Sequence, residues 1–173
     1  IPYLNRLAGS VIGRADIYAV RNEKIAGFGF RNIGSMIENR YEGQIDSGKM
    51  MRALLKKVQS EGVLVLNHCK VNDIQQTENG AVLQTNHARI KAKKVIVATN
   101  AFATEFFPEL DMVPGRGQVL ITEPIPGLPV KGTFHYDKGY YYFRNIHDRI
   151  LLGGGRNLDF KNEETTIFGI TDP

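Results

Sequence analysis

Four consecutive apolar residues, Val95-Ile96-Val97-Ala98, lie between Lys93-Lys94 and Thr99-Asn100-Ala101. This run constrains the fold more than any other segment. It is too short for a helix and does not alternate, which predicts a strand buried on both faces, as in a parallel sheet covered by helices. It stops at small polar residues, and in open α/β sheets ligands sit beyond the carboxyl ends of the strands. Val63-Leu64-Val65-Leu66 has the same texture and predicts a second buried strand.

Between residues 46 and 92 the patterning is regular. Met50, Met51, Leu54, Leu55 and Val58 fall on one helical stripe opposite Lys49, Arg52, Lys56 and Gln59. With Asp46 as N-cap and Gly62 as the stop, a helix is predicted over 47–61. Val71–Gln76 and Ala81–Thr85 flank Asn79-Gly80, the pair favoured in type I′ hairpins, and Arg89–Ala92 adds a third strand. Residues 1–42 carry weaker signals: Pro2–Leu7 begins a helix pattern, Asp16–Val20 alternates, and Gly27-Phe28-Gly29-Phe30 is too glycine-rich for a helix interior.

From Pro108 the texture changes. Prolines at 108, 114, 124, 126 and 129 exclude long helices. Gln118–Thr122, Gly132–Tyr136, Tyr140–Arg144 and Ile150–Gly153 read as strands of an antiparallel sheet. In the third of these, Tyr140, Tyr142 and Arg144 share one face, a pair of phenols and a guanidinium suited to a carboxylate-bearing ligand.

Several function classes fall away. The net charge of +4 comes from scattered lysines and arginines without a recognition motif, which argues against nucleic-acid binding. A single cysteine, Cys69, excludes an intramolecular disulfide and fits a reducing, cytoplasmic compartment. No run is long enough for a transmembrane helix. His68, His87, His135 and His147 lack metal-ligand spacing, so no metal is expected. Gly43–Met50 nearly matches a phosphate-binding loop, but Met50 stands where a magnesium-binding hydroxyl is needed, and no buried strand precedes it. Neither Gly27–Asn32 nor Gly153–Gly155 completes a dinucleotide fingerprint.

Three blocks together resemble the FAD-dependent amine and amino-acid oxidoreductases related to D-amino-acid oxidase, glycine oxidase and sarcosine oxidase. They are Glu42-Gly43-Gln44-Ile45-Asp46 with the following helix and Glu61-Gly62-Val63; Ile90–Ala101; and Arg116-Gly117-Gln118-Val119 with Tyr140–Arg144 and Leu151–Gly154. The resemblance implies an α+β fold, α/β in its FAD-binding part. Residues 43–107 would form a partial FAD-binding lobe with a β-meander. Residues 1–42 and 108–173 would form a substrate-binding lobe around a mixed, mainly antiparallel sheet. By similarity, Val71, Ala98, Thr99 and Asn100 lie at the adenosine end of FAD, while Tyr140, Arg144 and Arg156 face a small amine or amino-acid substrate. The implied reaction is hydride transfer from an amine carbon to flavin, and no general base is assigned. Ile1 begins mid-pattern and Thr171-Asp172-Pro173 ends without a helix or tail, so the expectation is an interior piece of a longer enzyme, inactive alone. The competing expectation is a non-catalytic α/β module holding a small acidic ligand on the Tyr140–Arg144 face.

Overall fold

The computed structural model of the chain describes residues 1–167. Thr171-Asp172-Pro173, and with them the end of the expected 108–173 lobe, lie outside the described residues. The fold is α+β, and every strand pair among the described residues is antiparallel. The chain divides into two compact units, one of residues 1–46 and 117–158, the other of residues 47–116 and the described residues from 159 on.

In the first unit, helix α1 (Pro2–Ile12) starts with proline in its first turn and ends at Gly13 in the left-handed region. Asn5 joins it to strand β1 (Tyr18–Val20): its amide donates to the Tyr18 carbonyl at 3.0 Å and its oxygen accepts from the Tyr18 N–H at 2.7 Å. Strand β1 pairs with β2 (Ile37–Asn39). The main sheet has the order β6-β9-β8-β7, built from β6 (Val119–Ile121), β7 (Thr133–Tyr136), β8 (Tyr141–Ile146) and β9 (Arg149–Gly154). Side chains alternate between its faces. Phe134, Phe143, Tyr136 and Tyr141 share one face, where Phe134 stacks on Phe143 at 4.9 Å and Tyr136 on Tyr141 at 4.9 Å. Phe28 and Phe30 pack edge-on against that face at 5.2 to 5.7 Å. The glycine-rich segment 27–30 is therefore a turn, as expected, that also delivers two phenylalanines to the core. Ile17, Leu128 and Val130 are the buried apolar residues of the core among those described, Ile17 completely so, and all lie in this unit.

The second unit begins with helix α2 (Ser47–Ser60), within one residue of the predicted span. It stops where Gly62 enters the left-handed region (φ +78°) and Val63 N–H returns to the Val58 carbonyl at 3.3 Å. Strands β3 (Val71–Thr77), β4 (Gly80–Thr85) and β5 (Arg89–Ala92) form the expected meander in the order β3-β4-β5. Ile74, Leu83 and Ile90 align across its apolar face.

Three expectations are corrected. The hairpin is not type I′: positive φ falls on Gly80 (+137°) and not on Asn79, and the two-residue loop is Glu78-Asn79. A Cβ at Gly80 would lie 2.2 Å from the Ala92 carbonyl oxygen, so the glycine is needed for close approach of β5 rather than for the turn type. Val63–Leu66 and Val95–Ala98 are not strands; all four residues of the first run are exposed, Leu64 at 79%, while in the second Val95 and Val97 are half-buried and Ile96 is 91% exposed. A strand buried on both faces needs hydrogen-bonding neighbours and covering helices. Neither run has a partner strand among the described residues.

Candidate functional site

The sheet face opposite the aromatic cluster carries an open cleft of about 270 Å³, lined by Val119, Thr133, Phe134, His135, Tyr142, Phe143, Arg144 and Leu151. The strand register explains its composition. Tyr142 lies opposite His135 on β7 and Gly153 on β9, and Arg144 lies opposite Thr133 and Leu151, so these side chains share one face. The Tyr142 ring occupies the space a Cβ at Gly153 would need, 2.4 Å from its nearest ring carbon. The cleft floor is thus a phenol laid over a glycine, with the His135 ring centroid 6.3 Å away. One Arg144 Nη donates to the carbonyl of Ile45. This bond fixes the guanidinium while leaving other N–H groups for an anionic ligand, since arginine has five donors in a fixed fork.

The expected trio of Tyr140, Arg144 and Arg156 is divided between two ends of the sheet. Tyr140 precedes β8, in the cap position of the 3-10 turn Asp137–Gly139, and its carbonyl accepts from Gly155 N–H at 3.1 Å. That bond draws it to the segment leading into Arg156, which begins the 3-10 turn Arg156–Leu158. Arg144 lies four residues along from Tyr140, roughly 13 Å at strand spacing. Tyr142 is the second phenol of the face expected from the sequence; His135 and Thr133 were not expected at the site. The signal for them was the short Asp137-Lys138-Gly139 connection: pairing Tyr136 with Tyr141 across it sets His135 against Tyr142.

In the second unit, Val71 opens β3 and is half-buried. Ala98 and Thr99 are exposed, Thr99 as the N-cap of the 3-10 turn Asn100–Glu105, which Asn100 starts at φ +52°. Strand β3 is an edge strand of its sheet. The same unit contains the buried charged residue Glu163, 7% exposed, which receives Arg116 Nε at 2.8 Å and Nη2 at 3.3 Å. Arg116 N–H also donates to the Glu163 carbonyl at 2.8 Å. The Glu163 carboxylate raises the Arg116 pKa above its ordinary value, mainly through the side-chain hydrogen bond. Arg116, the first residue of the third sequence block, thus anchors the segment around Glu163. Among the described residues no group of His, Cys, Asp and Glu is arranged to hold a metal ion, and no helix is long and apolar enough to cross a membrane.

Over residues 9–171 the sequence matches the family described as FAD dependent oxidoreductase. It is 29% identical to the bifunctional protein ThiO/ThiG of Nostoc sp. over 116 residues, covering 65% of this chain and 18% of that protein. The same-named protein of Trichormus variabilis is 30% identical over 122 residues, covering 68% and 18%. Glycine oxidase of Geobacillus kaustophilus is 26% identical over 117 residues, covering 65% and 30%. The chain spans less than a third of the length of these relatives.

Proposed function

The chain belongs to the family of FAD-dependent oxidoreductases, and from that premise we propose that it forms part of an enzyme oxidising a small amine or amino acid. The family match along nearly the whole chain is the observation that carries this reading. In it, the unit of residues 1–46 and 117–158 contributes the substrate side. Tyr142, His135 and Arg144 line the cleft, and Tyr140 and Arg156 border it from the other end of β8. A carboxylate-bearing substrate suits the remaining donors of Arg144, and the apolar Val119 and Leu151 favour a small, uncharged side chain. One relative carries the name glycine oxidase, which makes glycine the first compound to try.

The unit containing residues 47–116 contributes the cofactor side, with Val71, Ala98, Thr99 and Asn100 holding the adenosine end of FAD. Support comes from the open edge of β3 at Val71 and the small, exposed residues Ala98 and Thr99, which leave room for a planar ring. When bound, FAD supplies the hydride acceptor; the protein's own part is binding, orientation and exclusion of water. Gly27–Gly29 and Gly153–Gly155 do not open α-helices, so these residues offer no helix N-terminus for the pyrophosphate. The chain alone is therefore expected to bind FAD weakly and to turn over nothing.

NMR titration of the 15N-labelled chain tests both sides. FAD should shift the amides of Val71, Thr99 and Asn100, and glycine at millimolar concentration should shift Tyr142 and Arg144. The Arg144→Gln variant should lose the glycine response. Shifts at Tyr142 with no response of residues 71 and 98–100 to FAD would favour a plain acidic-ligand module instead.

A further inference from the structure

We infer that Asn86 is a positioning residue for the adenine contact at Val71. Its carboxamide stands in for a strand carbonyl and thereby turns the Val71 N–H and C=O toward the open edge of β3. The inference rests on the adenosine-site reading above and adds to it the residue that sets up the contact.

Lys70 N–H donates to Asn86 Oδ1 at 2.9 Å, and Asn86 N–H donates to the Lys70 carbonyl at 3.0 Å. These two bonds reproduce the closed ring of a hydrogen-bonded antiparallel pair, with the side-chain oxygen replacing the backbone oxygen of Asn86. Successive residues of a strand direct their N–H and C=O to opposite sides. Since Lys70 directs both inward to Asn86, Val71 directs both outward. Thr85, the register partner of Val71, agrees with this arrangement by giving its N–H to the Ala88 carbonyl at 3.0 Å. The outer side of β3 has no neighbouring strand among the described residues. An N–H beside a C=O on one extended residue suits adenine, which offers a ring-nitrogen acceptor next to the N6 donor. It is mismatched to guanine, which presents the O6 acceptor at that corner.

The other half of the Asn86 side chain fixes the approach to Val71. Asn86 Nδ2 donates to the His68 carbonyl at 3.0 Å, and His87 Nε2 reaches the same oxygen at 3.0 Å. His68 itself holds φ at +57°, a conformation that turns the chain sharply just before Lys70 and Val71. Asn86 therefore makes two bonds from its side chain and one from its backbone to His68 and Lys70, just ahead of Val71.

NMR titration of the labelled chain with ADP and with GDP separates positioning from plain structural support. In the unsubstituted chain ADP should shift the Val71 amide and bind better than GDP. Asn86→Ala should weaken ADP binding about tenfold, the order expected for two lost hydrogen bonds, and should remove the preference over GDP. Signals of α2 and β8 should stay in place. Asn86→Asp keeps the acceptor for Lys70 N–H and should keep the preference. Unchanged ADP affinity and preference in Asn86→Ala would overturn the inference while leaving the adenosine site standing. No ADP-induced shift at Val71 in the unsubstituted chain would overturn both. Should Asn86→Ala lose the meander, seen at Ile74, Leu83 and Ile90, then Asn86→Asp decides: preference kept supports the inference, and preference lost in an intact meander overturns it.

Discussion

Apolar side chains are exposed in both units, Val11 and Leu158 in the first as much as Leu64 and Ile96 in the second, but the first, of residues 1–46 and 117–158, also closes an aromatic cluster on one face of its sheet. Phe28, Phe30, Phe134 and Phe143 form a closed aromatic cluster in the first. In the second, Met51, Leu54, Leu64, Leu66 and Ile96 are each at least half exposed. The two stretches of sequence look equally hydrophobic. What differs is where their partners are: an antiparallel sheet with hairpin connections finds its neighbours a few residues away, whereas buried parallel strands need crossovers and covering layers. Apolarity thus marks a demand for burial, and topology decides whether nearby chain can meet it.

The most severe test of this contrast is Phe143→Ala. Phe143 touches Phe30, Phe134 and Tyr136, so its loss opens the middle of the cluster. A destabilisation of about 3 kcal/mol is expected, at the lower end for phenylalanine truncation because the residue is half-buried. All seven tyrosines lie in the same unit, so tyrosine fluorescence during urea unfolding follows that unit alone. A cost below about 1 kcal/mol would mean the cluster is not the core the geometry indicates.

Gly80→Ala probes a tight contact within the meander of the second unit. The added Cβ would meet the Ala92 carbonyl oxygen at 2.2 Å, and φ at +137° is unfavourable for any L side chain. We expect about 2 kcal/mol, read as faster amide exchange at Leu83 and Ile90. Tyrosine fluorescence should not change. An equal loss in both readouts would show that the two units unfold together and would weaken the comparison.

Acid should act on the first unit through Glu38. Its carboxyl is held below the ordinary value of 4.5, first by the hydrogen bond from Lys24; partial burial opposes the shift and Arg21, at 3.2 Å, adds to it. The unfolded chain therefore takes up the proton at higher pH than the folded one. The pair's contribution is complete at neutral pH and is lost as pH falls below about 4.5 through the lowered value. Glu38→Gln should flatten the fall in urea midpoint between pH 7 and pH 3. An unchanged slope would assign the acid sensitivity to other carboxylates.

Local patterns were legible where local physics decides. Helix α2 follows from its stripe and from Gly62, and the four strands of the main sheet follow from alternation between prolines and glycines. The β3–β4 hairpin was legible but its turn was not, because the need for Gly80 comes from β5, twelve residues further on. The same reason hid His135, whose position opposite Tyr142 exists only once the hairpin register is set. Phe28 and Phe30 gave no sign in sequence that they cap a sheet built a hundred residues later. Runs 63–66 and 95–98 were misread for the reverse reason: their texture describes a sheet interior that the described residues do not assemble.

Leu64→Ser carries the smallest expected effect and bears most directly on that last point. A residue 79% exposed loses almost no buried area on substitution, so the change should be within about 0.5 kcal/mol. Gly80→Ala in the same unit provides the positive control, and amide exchange in the meander provides the common readout. A near-zero result alone only agrees with the exposure. The informative measurement is the same substitution in a longer polypeptide that includes sequence on either side of this chain. There, a cost of about 2 kcal/mol or more would show that flanking sequence covers Val63–Leu66, as the parallel-sheet texture demands. A cost near zero in both would mean that four consecutive apolar residues remain at the surface, and their role would then have to be sought in contact with another molecule.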